Sequence, residues 1–447
     1  MSEHAYLGTA FHAPAHNRVE VLTDALIVVD ATGAITAIHP ARSPEIDRFR
    51  AAGQLTELEP GQYLLPGLVD LHVHAPQWPQ LGKALDVPLE VWLQKYTFPL
   101  EARYADLAFA EPIYDSLVES LLANGTTTAL YFATIHLPAT ELLADICIRR
   151  GQRALIGRVA MDDREQCPDY YRDASAETGT ADTRAFIDYV RAMPGNAAGL
   201  VQPVITPRFI PSCTDDLLHG LGALAKETGC HIQTHCSESD WEHNYVLQRT
   251  GVTDTAALER YGLLSRKTVL AHGNFVTDAD IALIRQTGSG IAHCPLSNVY
   301  FSNAVLPVRK LLEADVHVGL GTDIAGGASP SIFDSARQAV IASRSLEGGV
   351  DLALPPDRRG CPDSRITAIQ AFWLATAGGG IALDLPIGRF AEGYQFDAIL
   401  VDTQAPNSNL RLYTDDAPED VLQKIVYNAG RANVAKVWVA GRNVSGA

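Results

Sequence analysis

Six side chains in this sequence have the types and spacing of a hydrolytic metal centre. His72 and His74 stand two residues apart in Pro66-Gly67-Leu68-Val69-Asp70-Leu71-His72-Val73-His74. His235 opens His235-Cys236-Ser237-Glu238, His272 lies in Ala271-His272-Gly273, and Asp323 ends Gly321-Thr322-Asp323. Each motif follows a run of strand-forming residues. Imidazole nitrogens and one carboxylate suit a single Zn2+ per chain, and four protein ligands leave a position for water. On a strand, His72 and His74 share one face. A lone His-x-His pair or a single strand-end histidine is a weak signal, because packed and surface histidines are common. The joint arrangement is not, and it assigns His72, His74, His235 and Asp323 as metal ligands. Asp323 also follows Gly-Leu-Gly-Thr, a backbone that can approach a metal or substrate closely.

Glu238 lies three residues past His235. The metal already has its protein ligands, so this carboxylate reads as a proton shuttle between an attacking water and a leaving group. Without the metal context it would be an ordinary helix-start Glu. His272 reads as a base beside the activated water rather than a fifth ligand. His293 and His136 also end strand-like runs, and for both a structural role is the plainer reading.

Such a set needs a scaffold that brings several strand ends together. Strand-like runs at 64–74, 126–132, 153–160, 199–206, 231–235, 268–272, 290–293 and 316–323 alternate with helical patterns at 105–123, 139–150, 183–193, 215–228 and 331–345. Eight strands alternating with helices describe a (β/α)8 TIM barrel, whose active sites lie at the carboxyl ends of the strands. Residues 1–65 show short strands (5–11, 19–30, 34–39), and short strands return after 378, at 396–401 and 434–439. The expected organisation is a barrel over 66–378 and a small β-sandwich formed jointly by 1–65 and 379–447. The segment 162–184 is rich in small and charged residues and reads either as a cover for the site or as a surface excursion.

Composition narrows the function classes. The 447 residues are 47% hydrophobic and 19% charged, with a net charge of -17. Such acidity argues against a nucleic-acid backbone or an anionic membrane as partner. No apolar run approaches the roughly 18 residues of a membrane span. No secretory signal is recognised at the amino terminus, and the seven scattered cysteines form no C-x-x-C pair. A cytoplasmic enzyme acting on a small molecule is expected.

The loops between the ligand motifs are more distinctive. They include His74-Ala75-Pro76-Gln77, Ala84-Leu85-Asp86-Val87-Pro88-Leu89 with Trp92-Leu93, Tyr96-Thr97-Phe98-Pro99 with Glu101-Ala102-Arg103, Tyr131-Phe132-Ala133-Thr134-Ile135-His136, and Thr206-Pro207-Arg208-Phe209. In these the chain resembles the zinc aminohydrolase branch of the amidohydrolase superfamily, and within it the barrel-type guanine deaminases, over nearly its whole length. The resemblance implies hydrolytic deamination of guanine to xanthine and ammonia by a homodimer. It implies zinc on His72, His74, His235 and Asp323, with Glu238 as proton shuttle. His272 and Asp323 would help take the water's proton. It implies a purine held by Gln77, Arg208 and Phe209 beside His235 and Glu238. Read alone, Arg208 would be a salt-bridge residue, Gln77 a loop amide and Phe209 a core residue. Cys236 and Leu296 depart from the family pattern, which bears on fine specificity. The neighbouring readings are an aminohydrolase acting on 8-oxoguanine, a pterin or an aminotriazine; a different class would be a catalytically silent scaffold of the same fold.

Overall fold

The computed structural model describes residues 3–302 and 304–445. Its strands are β1 (His4–Ala15), β2 (Arg18–Val29), β3 (Ile35–His39), β4 (Leu55–Glu57), β5 (Gln62–Pro66), β6 (Leu68–His74), β7 (Thr126–Phe132), β8 (Arg153–Ala160), β9 (Val201–Pro207), β10 (His231–Cys236), β11 (Thr268–His272), β12 (Gly290–His293), β13 (His317–Leu320), β14 (Ala398–Asp402), β15 (Val434–Val439) and β16 (Arg442–Asn443). Strands β6 to β13 form one parallel sheet in sequence order. The first and last of them meet again. His74 N donates to Ile324 O at 2.9 Å, Asp323 N donates to His72 O at 2.8 Å, and Val73 bridges Ile324. This is the expected TIM barrel.

The barrel strands are buried on both faces, which is why they read as continuous apolar runs rather than alternating ones. Val69, Leu71, Leu130, Leu155, Val204, Val269 and Ala292 come from six different barrel strands and pack into one cluster with Ala382, Leu383 and Ile387. Only the barrel interior brings six strands to one point, so this cluster is its apolar plug. The layer of helices outside the strands builds the larger core.

Two expected runs are resolved differently. The 64–74 run is two strands: β5 belongs to the other sheet and β6 to the barrel. They part at Gly67, where a Cβ would lie 2.1 Å from Thr127 Oγ1, so the chain passes Thr127 only because no side chain is there. The 316–323 run is strand only over His317–Leu320, because Gly321-Thr322-Asp323 turns across the barrel mouth toward β6.

The helix at 215–228 is observed as Asp215–Thr228, started by Thr214 accepting from Leu217 N and ended by left-handed Gly229. The 183–193 helix begins earlier, as Ala176–Ala192, behind a Ser175 cap. Helices Asp240–Thr250, Asp278–Thr287 and Pro418–Asn428 carry no counterpart in the sequence reading.

Both ends of the chain contribute to the second sheet, in the order β16-β15-β14-β5-β1-β2-β3, with β4 beside β1. Trp438 on β15 and Tyr6 on β1 are three strands apart, about 14 Å in a flat sheet. Their rings lie 5.3 Å apart, and Tyr6 stacks on Phe396 at 4.3 Å. The sheet therefore curls around a core of Tyr6, Ile27, Val29, Leu64, Phe396 and Trp438, so that its two halves face each other as the layers of a sandwich do. No helix among the described residues is long and apolar enough to cross a membrane.

Candidate active site

The carboxyl ends of β6, β10 and β11 and the turn after β13 converge at the barrel mouth. Alternation along β6 is interrupted by a register shift between Asp70 and Val73. Val69 and Leu71 join the plug, while His72 and His74 reach the mouth. A bulge at this place re-aims side chains that strict alternation would have put on opposite faces. Asp70 secures it. Its carboxylate accepts from His72 N at 3.2 Å, Thr322 N at 3.0 Å and Thr322 Oγ1 at 2.6 Å, tying the first strand to the residue before Asp323. Burial pushes the Asp70 carboxyl up to about 7, against the pull of those donors.

Donor atoms of several side chains come close there: His72, His74 and Asp323 form one candidate metal-ligand group, and His72, His235 and His272 another. His74 Nε2 lies 3.0 Å from His235 Nε2, and Asp323 Oδ1 lies 3.3 Å from His72 Nε2 and 3.7 Å from His74 Nε2. Ligands at about 2.0–2.1 Å from a tetrahedral zinc are separated by about 3.3 Å, so these edges fit such an ion. His235 Nδ1 donates to Arg208 O at 2.6 Å, which fixes its tautomer and turns the Nε2 lone pair inward. His72 Nε2 is buried with no hydrogen-bond partner among the described residues, as a metal ligand's nitrogen would be. Burial first, and then neighbouring positive groups, hold His72, His74 and His235 well below the usual imidazole range. They are neutral at pH 7, as ligation requires. These residues fit a divalent metal.

His272 stands beside this set, its Nδ1 donating to Asn298 Oδ1 at 2.9 Å. The neutral ring then turns a lone pair on Nε2 toward Glu238 Oε1 at 3.7 Å and Asp323 Oδ2 at 3.9 Å. His272 and Asp323 both adopt positive φ, +70° and +50°, a strained backbone that side-chain positions usually avoid. Burial, and after it the Asp323 charge, push the Glu238 carboxyl up to about 8. A carboxyl of that kind holds a proton near neutral pH and can give it up.

A cavity opens on these groups. His74, His235, Glu238 and Asp323 form its metal side; Gln77, Arg208 and Phe209 line it as well. The sequence reading did not place Leu89, Trp92, Leu93 and Phe301 in this wall, of which Trp92 and Phe301 pack ring to ring at 5.0 Å. Cys236 and Leu296 are not among the lining residues.

Arg208 is not a surface salt-bridge residue. It is 2% exposed, and its two terminal nitrogens donate to Glu101 at 2.7 and 3.2 Å. Glu101 is fully buried and also accepts from Gln77 Nε2 at 2.9 Å. Sequence reasoning quoted Glu101 inside a loop motif without a role; no local spacing marks a carboxylate whose partners are 24 and 107 residues away. Asp70 and Asn298 were missed for the same reason.

The segment after β8 is anchored. Arg158, buried on β8, holds Asp173 through a two-pronged ion pair, and Asp173 also accepts from Met161 N at 3.0 Å. Tyr171 is fully buried and packs toward Phe98 at 6.0 Å. His293 is buried and held down to about 3 by burial, in keeping with a structural role.

The amidohydrolase family profile matches residues 63–444. A probable guanine deaminase of Schizosaccharomyces pombe is 39% identical over 99% of this chain and 83% of that protein. The guanine deaminase of Homo sapiens is 37% identical over 99% of this chain and 96% of its own length. Among solved structures, guanine deaminase from C. acetobutylicum with guanine bound in the active site superposes with a TM-score of 0.88 at 29% identity, covering 99% of this chain and all of that one.

Proposed function

The chain belongs to the amidohydrolase family, and from that premise we propose that it is a zinc-dependent guanine deaminase, converting guanine and water to xanthine and ammonia. The observation that carries the reading is one cavity with a metal-ligand cluster and Glu238 on one side and the paired donors Arg208 and Gln77 on the other. His72, His74, His235 and Asp323 would hold the ion. When bound, it supplies the Lewis acidity that lets water act as a nucleophile near neutral pH.

The remaining steps belong to the protein. Arg208, its fork held by Glu101, presents a remaining N–H of its charged guanidinium to the purine carbonyl oxygen, Gln77 reads the ring edge, and Phe209 covers a ring face. Water adds to the carbon that bears the amine. Glu238 gives its proton to the adjacent ring nitrogen, which otherwise would accumulate negative charge as the C–O bond forms, and recovers one from the attacking water. His272, whose Nε2 lone pair is freed by the Nδ1 bond to Asn298, takes the second proton together with Asp323. That proton passes to the amine, the C–N bond breaks, and the new carbonyl closes. Both hydrogens of water are then accounted for, one on the ring and one on ammonia.

Ultraviolet monitoring of guanine loss and xanthine gain by the zinc-loaded protein tests this. Turnover abolished by chelation and restored by zinc supports substrate and metal together. No turnover with zinc bound would move the assignment to another amino-heterocycle such as 8-oxoguanine, a pterin or an aminotriazine. A homodimer in the cytoplasm belongs to the same reading, and light scattering tests the dimer.

A further inference from the structure

Two of the cavity's polar residues answer to one carboxylate behind them. Glu101 accepts Gln77 Nε2 on Oε1, Arg208 Nη2 on Oε1 and Arg208 Nη1 on Oε2, at 2.9, 3.2 and 2.7 Å. Gln77 Oε1 in turn accepts from Ala325 N at 3.1 Å. These bonds leave no freedom in the amide. A flipped Gln77 would set its NH2 against the Ala325 N–H and its oxygen against a carboxylate. The Arg208 fork is equally fixed, backed by the Phe98 ring 5.0 Å from its central carbon. Each donor nitrogen still carries a second hydrogen. Both residues line the cavity, so what they offer a ligand is N–H and not C=O.

We propose that Glu101 is a positioning residue that makes this wall of the cavity an all-donor edge, and thereby selects a purine carrying a carbonyl over one carrying an amine at the same carbon. It touches no substrate. It acts by denying Gln77 the orientation in which its oxygen would face the ligand and by holding the Arg208 fork in one plane. A 6-carbonyl purine meets this wall with acceptors. A 2,6-diaminopurine meets it with an amine, whose hydrogens face other hydrogens and leave buried donors unpaired. The selection rests on the guanine reading given above. A plain structural ion pair does not require the second bond to Gln77, nor that both partners line the same cavity.

The test compares kcat/KM for guanine and for 2,6-diaminopurine in the zinc-loaded protein and in Glu101→Gln, with zinc content and melting temperature measured alongside. Glu101→Gln keeps the shape but replaces an acceptor oxygen by an NH2, which removes one of the two bonds that fix the Gln77 amide and leaves only the Ala325 N–H against the flipped orientation. The expected result is a rise in KM for guanine of at least tenfold, a smaller change in kcat, unchanged zinc content, and at least a tenfold fall in the guanine preference. Should that variant be insoluble, Glu101→Asp carries the test: it keeps the charge, cannot reach both partners, and is expected to lose preference by a smaller factor. A preference ratio unchanged in a folded variant overturns the assignment while leaving guanine deamination intact. A wild-type protein that turns over neither purine removes the guanine reading and the assignment with it.

Discussion

The two sides of the cavity are built on opposite principles. On the metal side, buried nitrogens face one another unpaired: His72 Nε2 and His272 Nε2 have no hydrogen-bond partner among the described residues, and His74 and His235 oppose each other at 3.0 Å. On the side proposed for the purine, Arg208, Gln77 and Glu101 satisfy one another. In the proposed reading, the first side would be completed by an ion, whose binding would offset the cost of assembling it. The second is rigid beforehand, so a ligand meets donors that need no rearrangement. A deaminase needs both. Chemistry requires open coordination, and discrimination between flat heterocycles requires groups that cannot adapt.

Breaking each side should therefore cost different things. The largest effect belongs to Glu238→Gln, which leaves the ligands intact and removes the transferable proton. We expect normal zinc content with kcat reduced by about 10³-fold or more; single-turnover assays on zinc-quantified protein check this, and a variant with ordinary turnover would refute the shuttle. On the purine side, Arg208→Met strands the buried Glu101 carboxylate. Loss of one partner of a buried pair costs about 3–5 kcal/mol, readable as a fall in the urea midpoint with or without zinc.

A position outside both sides supplies a control. His12, on β1, is held down to about 4, mainly by burial and against the pull of Glu20. Its unfolded counterpart titrates near 6.5, so between those values the unfolded chain binds the extra proton. Stability is then lost as pH falls from about 6.5 to 4, by up to about 3 kcal/mol. His12→Gln should flatten this part of the urea-midpoint profile, and an unchanged slope would show that other groups carry it. The smallest effect sharpens the contrast. In chelated protein, Asp323→Asn replaces a buried carboxylate that then lacks its cation, and stability should change by less than about 1 kcal/mol. A loss as large as that of Arg208→Met would mean that the metal side is also self-supporting.

What was legible in the sequence follows from range. The barrel could be read because most of its strands carry a short, largely apolar core, and the candidate ligand motifs could be picked out because they sit at the ends of those runs. The Ala176–Ala192 helix was half read: its apolar face is clear from 183 onward, while the first turns carry small residues whose only marker is the Ser175 cap. Helix Asp278–Thr287 did leave a signal, the Thr277 and Asp280 capping box, behind a short and largely polar sequence. The split of 64–74 at Gly67 was hidden because both halves are apolar and only the packing against Thr127 separates them. Glu101, Asp70 and Asn298 were beyond reach. Each acts on a partner far away in sequence, and neither composition nor periodicity records which distant strand or loop end will arrive beside it. The segment after β8 belongs with them: its small and charged residues read either as a cover for the site or as a surface excursion, yet Asp173 is the buried partner of Arg158.

The seam where β6 meets the turn after β13 has a consequence for the making of the protein. Two of the proposed ligands stand on its early side and one on its late side, 249 positions further along, with Asp70 and Thr322 latched beside them. As the chain leaves the ribosome, His72 and His74 emerge early and His235 midway, but Asp323, the fourth proposed ligand, waits for the last barrel strand. An ion seated there works as a clasp on a closed hoop, and catalytic competence certifies that the hoop has been completed.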